Sequence, residues 1–252
     1  MIAAIVLRVL HYILTLGLFL RNFVYNIPNA YLSFYKKNNV SSIRNDAKLL
    51  KKLPMHLGFV IVENDYTFRD IANLIVWSVA MGISYISVYD INGDIKRNSF
   101  LLQKEIKRSK QETFASEDSK FEISLSLSES EEICNEEELS FKQAQVQLLA
   151  ADDGRLNLVK TAQNYCQLVT TNQYQLEDIV PNNVDSHLQK LFKLPDPDLV
   201  ILLGHINSLL GYMPWQVRLS EILNLPLIKG VNYKSYLSLI YTYGKTIQRF
   251  GT

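Results

Sequence analysis

Apolar and polar positions along the chain follow two alternating rhythms. Leu57-Gly58-Phe59-Val60-Ile61-Val62 is a continuous apolar run, long enough for a buried strand and too short for a helix. Thr67-x-x-Asp70 opens a stretch in which Phe68, Ile71, Ala72, Ile75, Val76 and Val79 recur at helical spacing, with Gly82 as its stop. Residues 83–89 (ISYISVY) are β-branched and aromatic and predict a second strand, followed by the turn pair Asn92-Gly93. Farther on, Leu156, Val159, Ala162, Cys166 and Val169 predict an amphipathic helix. Residues 198–204 predict a third buried strand and residues 225–228 a last one. A final helix carries Tyr233, Tyr236, Leu237, Ile240, Tyr241, Gly244 and Ile247 on one face. Buried strands alternating with helices predict an α/β fold, a mostly parallel central sheet flanked by helices.

Two segments break the rhythm. Residues 2–24 are apolar over roughly the 20 residues that a membrane-crossing helix needs, although Arg8 and His11 interrupt them. Three readings compete. A cleaved signal peptide lacks its small-x-small site, because Leu20-Arg21-Asn22-Phe23 is bulky and charged. A helix in a globular core lacks its polar face. A retained N-terminal membrane-anchor helix, with Arg8 snorkelling to the headgroups, fits best. Residues 25–52 set Lys36, Lys37, Arg44, Lys48, Lys51 and Lys52 against the single acid Asp46, which marks a cytoplasmic flank and a single pass with the rest of the chain cytosolic. Asn39-Val40-Ser41 is a glycosylation sequon that only the opposite orientation would use. Between Ser116 and Ser140, nine acids stand against Lys120, too little apolar surface to offset the entropy of ordering. The expected layout is an anchor over 1–24, a basic juxtamembrane linker over 25–52, and one domain over 53–252 with a disordered acidic insertion at about 108–150.

Charge and motifs then narrow the chemistry. A net charge of +1 gives no reason to expect nucleic acid. Cys134 and Cys166 form no C-x-x-C, and His11, His56, His187 and His205 form no H-x-x-x-H, so a His/Cys metal site is not expected. G-x-G-x-x-G, G-x-x-x-x-G-K-[ST] and G-x-S-x-G are all missing. The ligand site of an open α/β sheet lies beyond the carboxyl ends of its strands. Glu63, Asn64 and Asp65, then Asp90 and Asn92, then His205, Asn207 and Ser208 stand there. Glu63, Asp65 and Asp90 are candidates for a magnesium cluster. A diphosphate pocket also needs cations, and none precedes Lys96 and Arg97. Ordinary loop polarity is the simpler reading.

The motifs carry a more specific signal. Pro54-Met55-His56-Leu57-Gly58-Phe59-Val60-Ile61 resembles the P-x-H-[IV]-A-F-I-M opening of the cis-prenyltransferases, the undecaprenyl and dehydrodolichyl diphosphate synthases. That family continues D-G-N-x-R, whereas this chain places Val62 at the catalytic Asp and Tyr66 at the phosphate-binding Arg. Val88-Tyr89-Asp90-Ile91-Asn92 stands at a degraded Y-A-F-S-x-E-N block, and Pro195-Asp196-Pro197-Asp198-Leu199-Val200-Ile201 resembles the P-D-L-L-I that precedes R-T-S-G-E, without its arginine. Pro214-Trp215-Gln216 and Ser220-Glu221 resemble the later L-W-Q…[ST]-E, but Ser208 stands for the arginine of R-L-S-N-F. Framework kept and charge lost resembles the noncatalytic, Nogo-B receptor-like subunits of eukaryotic dehydrodolichyl diphosphate synthase. Lys52-Leu53-Pro54-Met55-His56-Leu57-Gly58, Leu210-Gly211-Tyr212-Met213-Pro214-Trp215 and the ending Arg249-Phe250-Gly251 resemble that group directly.

The resemblance implies a heteromer with a catalytic cis-prenyltransferase subunit, inactive without it, at the endoplasmic reticulum membrane. The complex would condense isopentenyl diphosphate onto farnesyl diphosphate, giving the polyprenyl diphosphate precursor of dolichol for protein glycosylation. It further implies that Arg249 and Gly251, with Phe250 between, bind substrate diphosphate in the partner's site. Mg2+ would be bound mainly by that partner, with no metal ligand in this chain. A guanidinium suits phosphate oxygens, and a glycine lets backbone N–H groups approach an anion. Without the resemblance, Arg249 would simply complement the dipole of the last helix and Gly251 would cap it. Trp215 reads as core, His56 as a packing residue at the start of the first strand, Glu221 as structural or interfacial, and Asp198 as closing a turn. A membrane receptor or scaffold without a role in catalysis is the alternative.

Overall fold

The computed structural model describes residues 8, 11, 12, 15–17, 39–114, 121–127 and 142–247. The chain divides into two units, Met1–Asn38 and Asn39–Thr252. Within the first, the described residues are helical; most of the expected anchor lies outside the described residues, and among those described no helix is long and apolar enough to cross a membrane.

The second unit runs α1 (Val40–Lys48), β1 (His56–Ile61), α2 (Phe68–Met81), β2 (Tyr85–Asp90), α3 (Asp94–Arg97), α4 (Ser99–Phe114), β3 (Phe121–Leu127), β4 (Lys142–Leu149), α5 (Arg155–Thr170), α6 (Pro181–Phe192), β5 (Leu199–Leu203), β6 (Glu221–Leu225) and α7 (Tyr233–Lys245). The six strands form one sheet in the order β3-β4-β2-β1-β5-β6, and every neighbouring pair is parallel.

Side chains alternate across each strand, so the sheet sorts its residues into two cores. Leu57, Phe59 and Ile61 of β1, Ile86 and Val88 of β2, and Leu199, Ile201 and Leu203 of β5 face a large cluster built with α1, α2, α4 and α7. Val60, Tyr89, Val200 and Leu202 face a smaller one with Leu188 and Phe192 of α6 and with Tyr212 and Met213. Helix α2 starts where Thr67 Oγ1 accepts the Asp70 N–H and stops at Gly82 with φ 101°, a left-handed cap that glycine adopts at little cost. Tyr236 ties α7 to α2 through a 2.8 Å hydrogen bond to Ser78.

Four expectations need correction. The range 108–150 is not a disordered insertion throughout: it includes the end of α4, all of β3 and all of β4. Ala144, Val146 and Leu148 of β4 are buried, and its parallel pairing with β2 supplies the hydrogen bonds and apolar contacts that composition conceals. Eight of the nine acids fall outside the described residues, and Glu122 is an exposed residue of β3. The last strand is β6, ending at Leu225 where it was expected to begin. Helix α5 forms where predicted but buries Thr161 and Tyr165, leaving Leu156 and Val159 about half exposed. In α7, Tyr241 faces solvent, and Ile247 lies beyond the helix end and is also exposed.

Candidate functional site

The carboxyl ends of β1, β2 and β5 meet at the position where an open parallel sheet places its ligand. Val62 directly follows β1, with its N–H bonded to the Leu203 carbonyl at 3.0 Å, and its side chain belongs to the smaller apolar cluster. Gly204, at φ 129°, lies against it: an added Cβ would come within 2.7 Å of Val62 Cγ2. An isopropyl group therefore occupies the position to which the resemblance assigned a catalytic carboxylate.

The three carboxylates expected there do not converge. Glu63 Oε1 accepts the His205 N–H at 2.7 Å. Asp65 pairs with Lys229 at 3.1 Å, both exposed. Asp90 is buried, and its two oxygens accept the N–H groups of Asn92 (3.1 Å), Asp94 (2.6 Å) and Ile95 (3.3 Å), the work of a turn and helix cap rather than a ligand. Among the described residues, no group of three or more His, Cys, Asp or Glu side chains is placed to hold a metal ion. The described loops at the carboxyl ends of β1, β2 and β5 do not fit Mg2+.

They do not fit a diphosphate either. Tyr66, at the position of a phosphate-binding arginine in the resembling family, is pushed up to about 12 by burial and by the Asp90 and Asp94 carboxylates. Those same charges repel an anion. Two cations of the neighbouring α3 are already paired, Lys96 with Asp153 at 3.1 Å and Arg97 with Asp94 at 2.6 Å.

The retained motifs meet elsewhere, as framework. Asp198 Oδ2 accepts the N–H groups of Met55 (2.7 Å) and His56 (3.1 Å), and the Asp198 carbonyl accepts the Glu221 N–H at 3.0 Å. One residue thus registers β1, β5 and β6. His56 is fully buried, with Nδ1 2.6 Å from the Pro195 carbonyl and Nε2 2.8 Å from Ser87 Oγ. The Ser87 hydroxyl is 2.7 Å from the Tyr212 hydroxyl. Only one proton order satisfies this chain with a neutral ring. Tyr212 donates to Ser87, Ser87 donates to Nε2, and Nδ1–H donates to Pro195. Burial holds the His56 pKa down at about 4, against the weaker opposing pull of the Pro195 carbonyl and Asp198.

Sequence reasoning located His56 but missed Ser87 and Tyr212. The available signal was Gly58: a Cβ there would collide with the Tyr212 phenol. Tyr212 rides on a segment with positive φ at Leu210 (50°), Gly211 (89°) and Met213 (32°), strained backbone for the two non-glycine residues. Tyr89 holds the segment by donating its hydroxyl to the Leu210 carbonyl at 2.9 Å. Trp215 is half-buried; its indole N–H donates to Asp185 of α6 at 3.0 Å, with the Arg218 guanidinium 5.2 Å from its ring. Glu221 opens β6, bonded through its N–H, which accords with a structural role.

The tail residues Arg249, Phe250 and Gly251 lie outside the described residues. The end of α7 is described: it stops at Lys245 with Thr246 as an extended C-cap. The helix is therefore closed before the tail begins, and neither Arg249 nor Gly251 is required to end it.

No protein-family profile matches the sequence. Curated proteins do. The chain is 39% identical over 212 residues to the human dehydrodolichyl diphosphate synthase complex subunit NUS1, covering 82% of this chain and 70% of that protein. It is 38% identical over 210 residues to the mouse subunit Nus1, covering 82% and 69%. The Schizosaccharomyces pombe subunit nus1 is 25% identical over 238 residues, covering 92% and 90%. Among solved structures, lavandulyl diphosphate synthase from Lavandula x intermedia, in complex with dimethylallyl diphosphate, superposes with a TM-score of 0.54 at 18% identity, covering 79% of this chain and 99% of that one. That likeness establishes the fold. With a parallel sheet of the cis-prenyltransferase kind, and with this identity over most of the chain, the protein belongs to the family of NUS1-type subunits of the dehydrodolichyl diphosphate synthase complex.

Proposed function

We propose that this chain is the accessory subunit of a heteromeric dehydrodolichyl diphosphate synthase, required for turnover and inert alone. The observation that carries the reading is Val62, an apolar side chain packed where the metal-holding carboxylate of an active cis-prenyltransferase belongs. The catalytic subunit supplies the Mg2+ site and most diphosphate contacts, and the pair elongates farnesyl diphosphate with isopentenyl diphosphate toward the dolichol precursor. An apolar stripe supports a partner: Leu156, Val159, Ala162 and Cys166 line one exposed face of α5, surface that an isolated subunit leaves in water.

Arg249 and Gly251 complete the partner's site. The guanidinium offers a planar fork of donors to diphosphate oxygens, and Gly251 lets backbone N–H groups approach the same anion. Because α7 is already capped at Thr246, the tail is available for this. The N-terminal segment anchors the subunit in the endoplasmic reticulum membrane by a single pass, with residues 39–252 in the cytosol.

The test is isopentenyl incorporation by the co-purified complex, comparing wild type with Arg249→Ala and with a chain ending at Gln248. Removing a preorganised donor from such a site costs about 10²–10³-fold in turnover, so both variants should fall by that order with the complex intact. Unchanged activity in both would remove the tail from the site and leave the chain a scaffold. Topology has its own readout. Asn39 is exposed at the start of α1, so a lumenal domain would carry an endoglycosidase-sensitive glycan there, whereas a cytosolic one stays unmodified.

A further inference from the structure

The face built by α1 and α7 has a composition that the accessory-subunit reading does not use. Between the end of α1 and the flank of α7 lies an open cavity of about 350 Å3. Leu49, Leu50, Leu237 and Tyr241 make its apolar wall, with Lys234 at its rim. Leu49 is 80% exposed and Tyr241 49%, a large apolar exposure for two neighbouring helices.

One lysine, Lys234, lines this groove, and others stand on the same two segments. Lys48, Lys51, Lys234 and Lys245 are exposed, and Lys245 Nζ sits 4.2 Å from the centre of the Tyr241 ring. Lys52 lies 4.4 Å from the centre of the buried Tyr243 ring. The two elements are in direct contact. A Cβ on Gly244 of α7 would meet the Lys52 carbonyl at 3.4 Å and Leu50 Cδ2 at 3.9 Å. The one acid lining the groove is Asp46, which accepts the Tyr233 hydroxyl at 3.0 Å. The two segments are therefore rich in exposed lysine and share an apolar groove.

We infer that the α1–α7 face docks on an anionic lipid bilayer, its lysines at the headgroups and its apolar groove taking the end of an acyl chain. Charge complementarity selects this occupant over a protein. Lysine is depleted at protein–protein interfaces relative to other surface. Clustered lysines around exposed Leu and Tyr are the composition of a surface that lies in the lipid interface. Chain continuity agrees, because α1 lies within the basic segment 25–52 that follows the anchor expected over 1–24. The inference rests on the anchoring reading for proximity to lipid, and adds a fixed orientation of the folded unit to it.

A probe at the groove tests it. Cys134 and Cys166 are replaced by Ser, Leu49→Cys is labelled with an environment-sensitive dye, and the full-length chain is reconstituted into vesicles. The expected result is a blue shift on vesicles of phosphatidylcholine with phosphatidylserine. The shift should be small on phosphatidylcholine alone and reversed by 1 M salt, where screening is nearly complete. Each lysine near an anionic surface strengthens binding about fivefold. The triple variant Lys48→Glu, Lys51→Glu, Lys234→Glu should therefore abolish the shift, while the same dye at Leu219→Cys reports none. A chain that sediments with vesicles but gives no lipid-dependent shift overturns the docking face and spares the anchor. A chain that does not sediment overturns both. A shift that appears only on adding the catalytic partner, whatever the lipid, assigns the groove to protein and overturns the proposal.

Discussion

The two ends of the parallel sheet have been treated differently. At the amino end, Asp198 and His56 knit β1, β2, β5 and β6 through hydrogen bonds that run from the exposed Met55 N–H to the buried His56–Ser87 pair. At the carboxyl end, the residues that would touch substrate are an isopropyl group, a phenol beside two acids, and carboxylates spent on turns or on exposed lysine. The difference teaches that the cis-prenyltransferase framework and its chemistry are separable. Polar groups that hold strands together cannot be lost without exposing buried unpaired atoms. On the proposed reading the partner subunit holds the ligand, which leaves the polar groups at the carboxyl end free to be replaced.

Perturbing each end tests that contrast. The largest effect belongs to Tyr212, which is fully buried between the strands and its loop. Tyr212→Ala should cost about 3–5 kcal/mol in denaturant unfolding, as other buried aromatic truncations do; Tyr212→Phe should cost about 1–3 kcal/mol through the hydroxyl alone.

Next comes pH. With the folded pKa of His56 near 4, below its ordinary 6.5, the unfolded chain binds the extra proton between those values. Stability from this group is then fully present above about 6.5, falls as pH drops, and levels off below about 4. The loss is on the order of 3 kcal/mol, and denaturation midpoints for wild type and His56→Gln should show it in the former only. A flat wild-type profile over that window would contradict the buried neutral imidazole.

Asp198→Asn is smaller. It keeps an oxygen acceptor but loses the charge that strengthens two backbone hydrogen bonds, about 1–2 kcal/mol by the same measurement. At the other end, Asp65→Asn removes only an exposed ion pair. It should shift stability by less than about 0.5 kcal/mol and leave turnover of the complex unchanged. A tenfold loss of turnover in Asp65→Asn would mean that the carboxyl-end loops of this chain still take part in the chemistry.

Local signals were read well where one short segment decides the outcome. Thr67 and Gly82 bracket α2 as their capping chemistry requires, and the apolar runs at β1, β2 and β5 fall within a residue or two of their strands. Reading failed where a distant partner decides. Strand β4 alternates Ala144, Val146 and Leu148 with glutamines, and next to so many acids that pattern looks like solvated chain until β2 supplies the other half of the ladder. The face of α5 was misjudged for a related reason. Its most apolar stripe is not the buried one: Thr161 and Tyr165 are buried instead, and Tyr165 donates its hydroxyl to the Asn183 carbonyl of α6 at 3.2 Å.

The sequence alone determined the class of fold, the elements β1, α2, β2, α5, β5 and α7, and the residue types at the motif positions, since each depends on residues within a few positions of one another. Tertiary structure decided what those residues now do. Only the meeting of β1, β2 and the loop after β5 turns His56, Ser87 and Tyr212 into one proton-ordered chain. Only the packing of α1 on α7 turns scattered lysines and leucines into a face. Both depend on groups far apart in sequence, whose direction and burial no local pattern specifies.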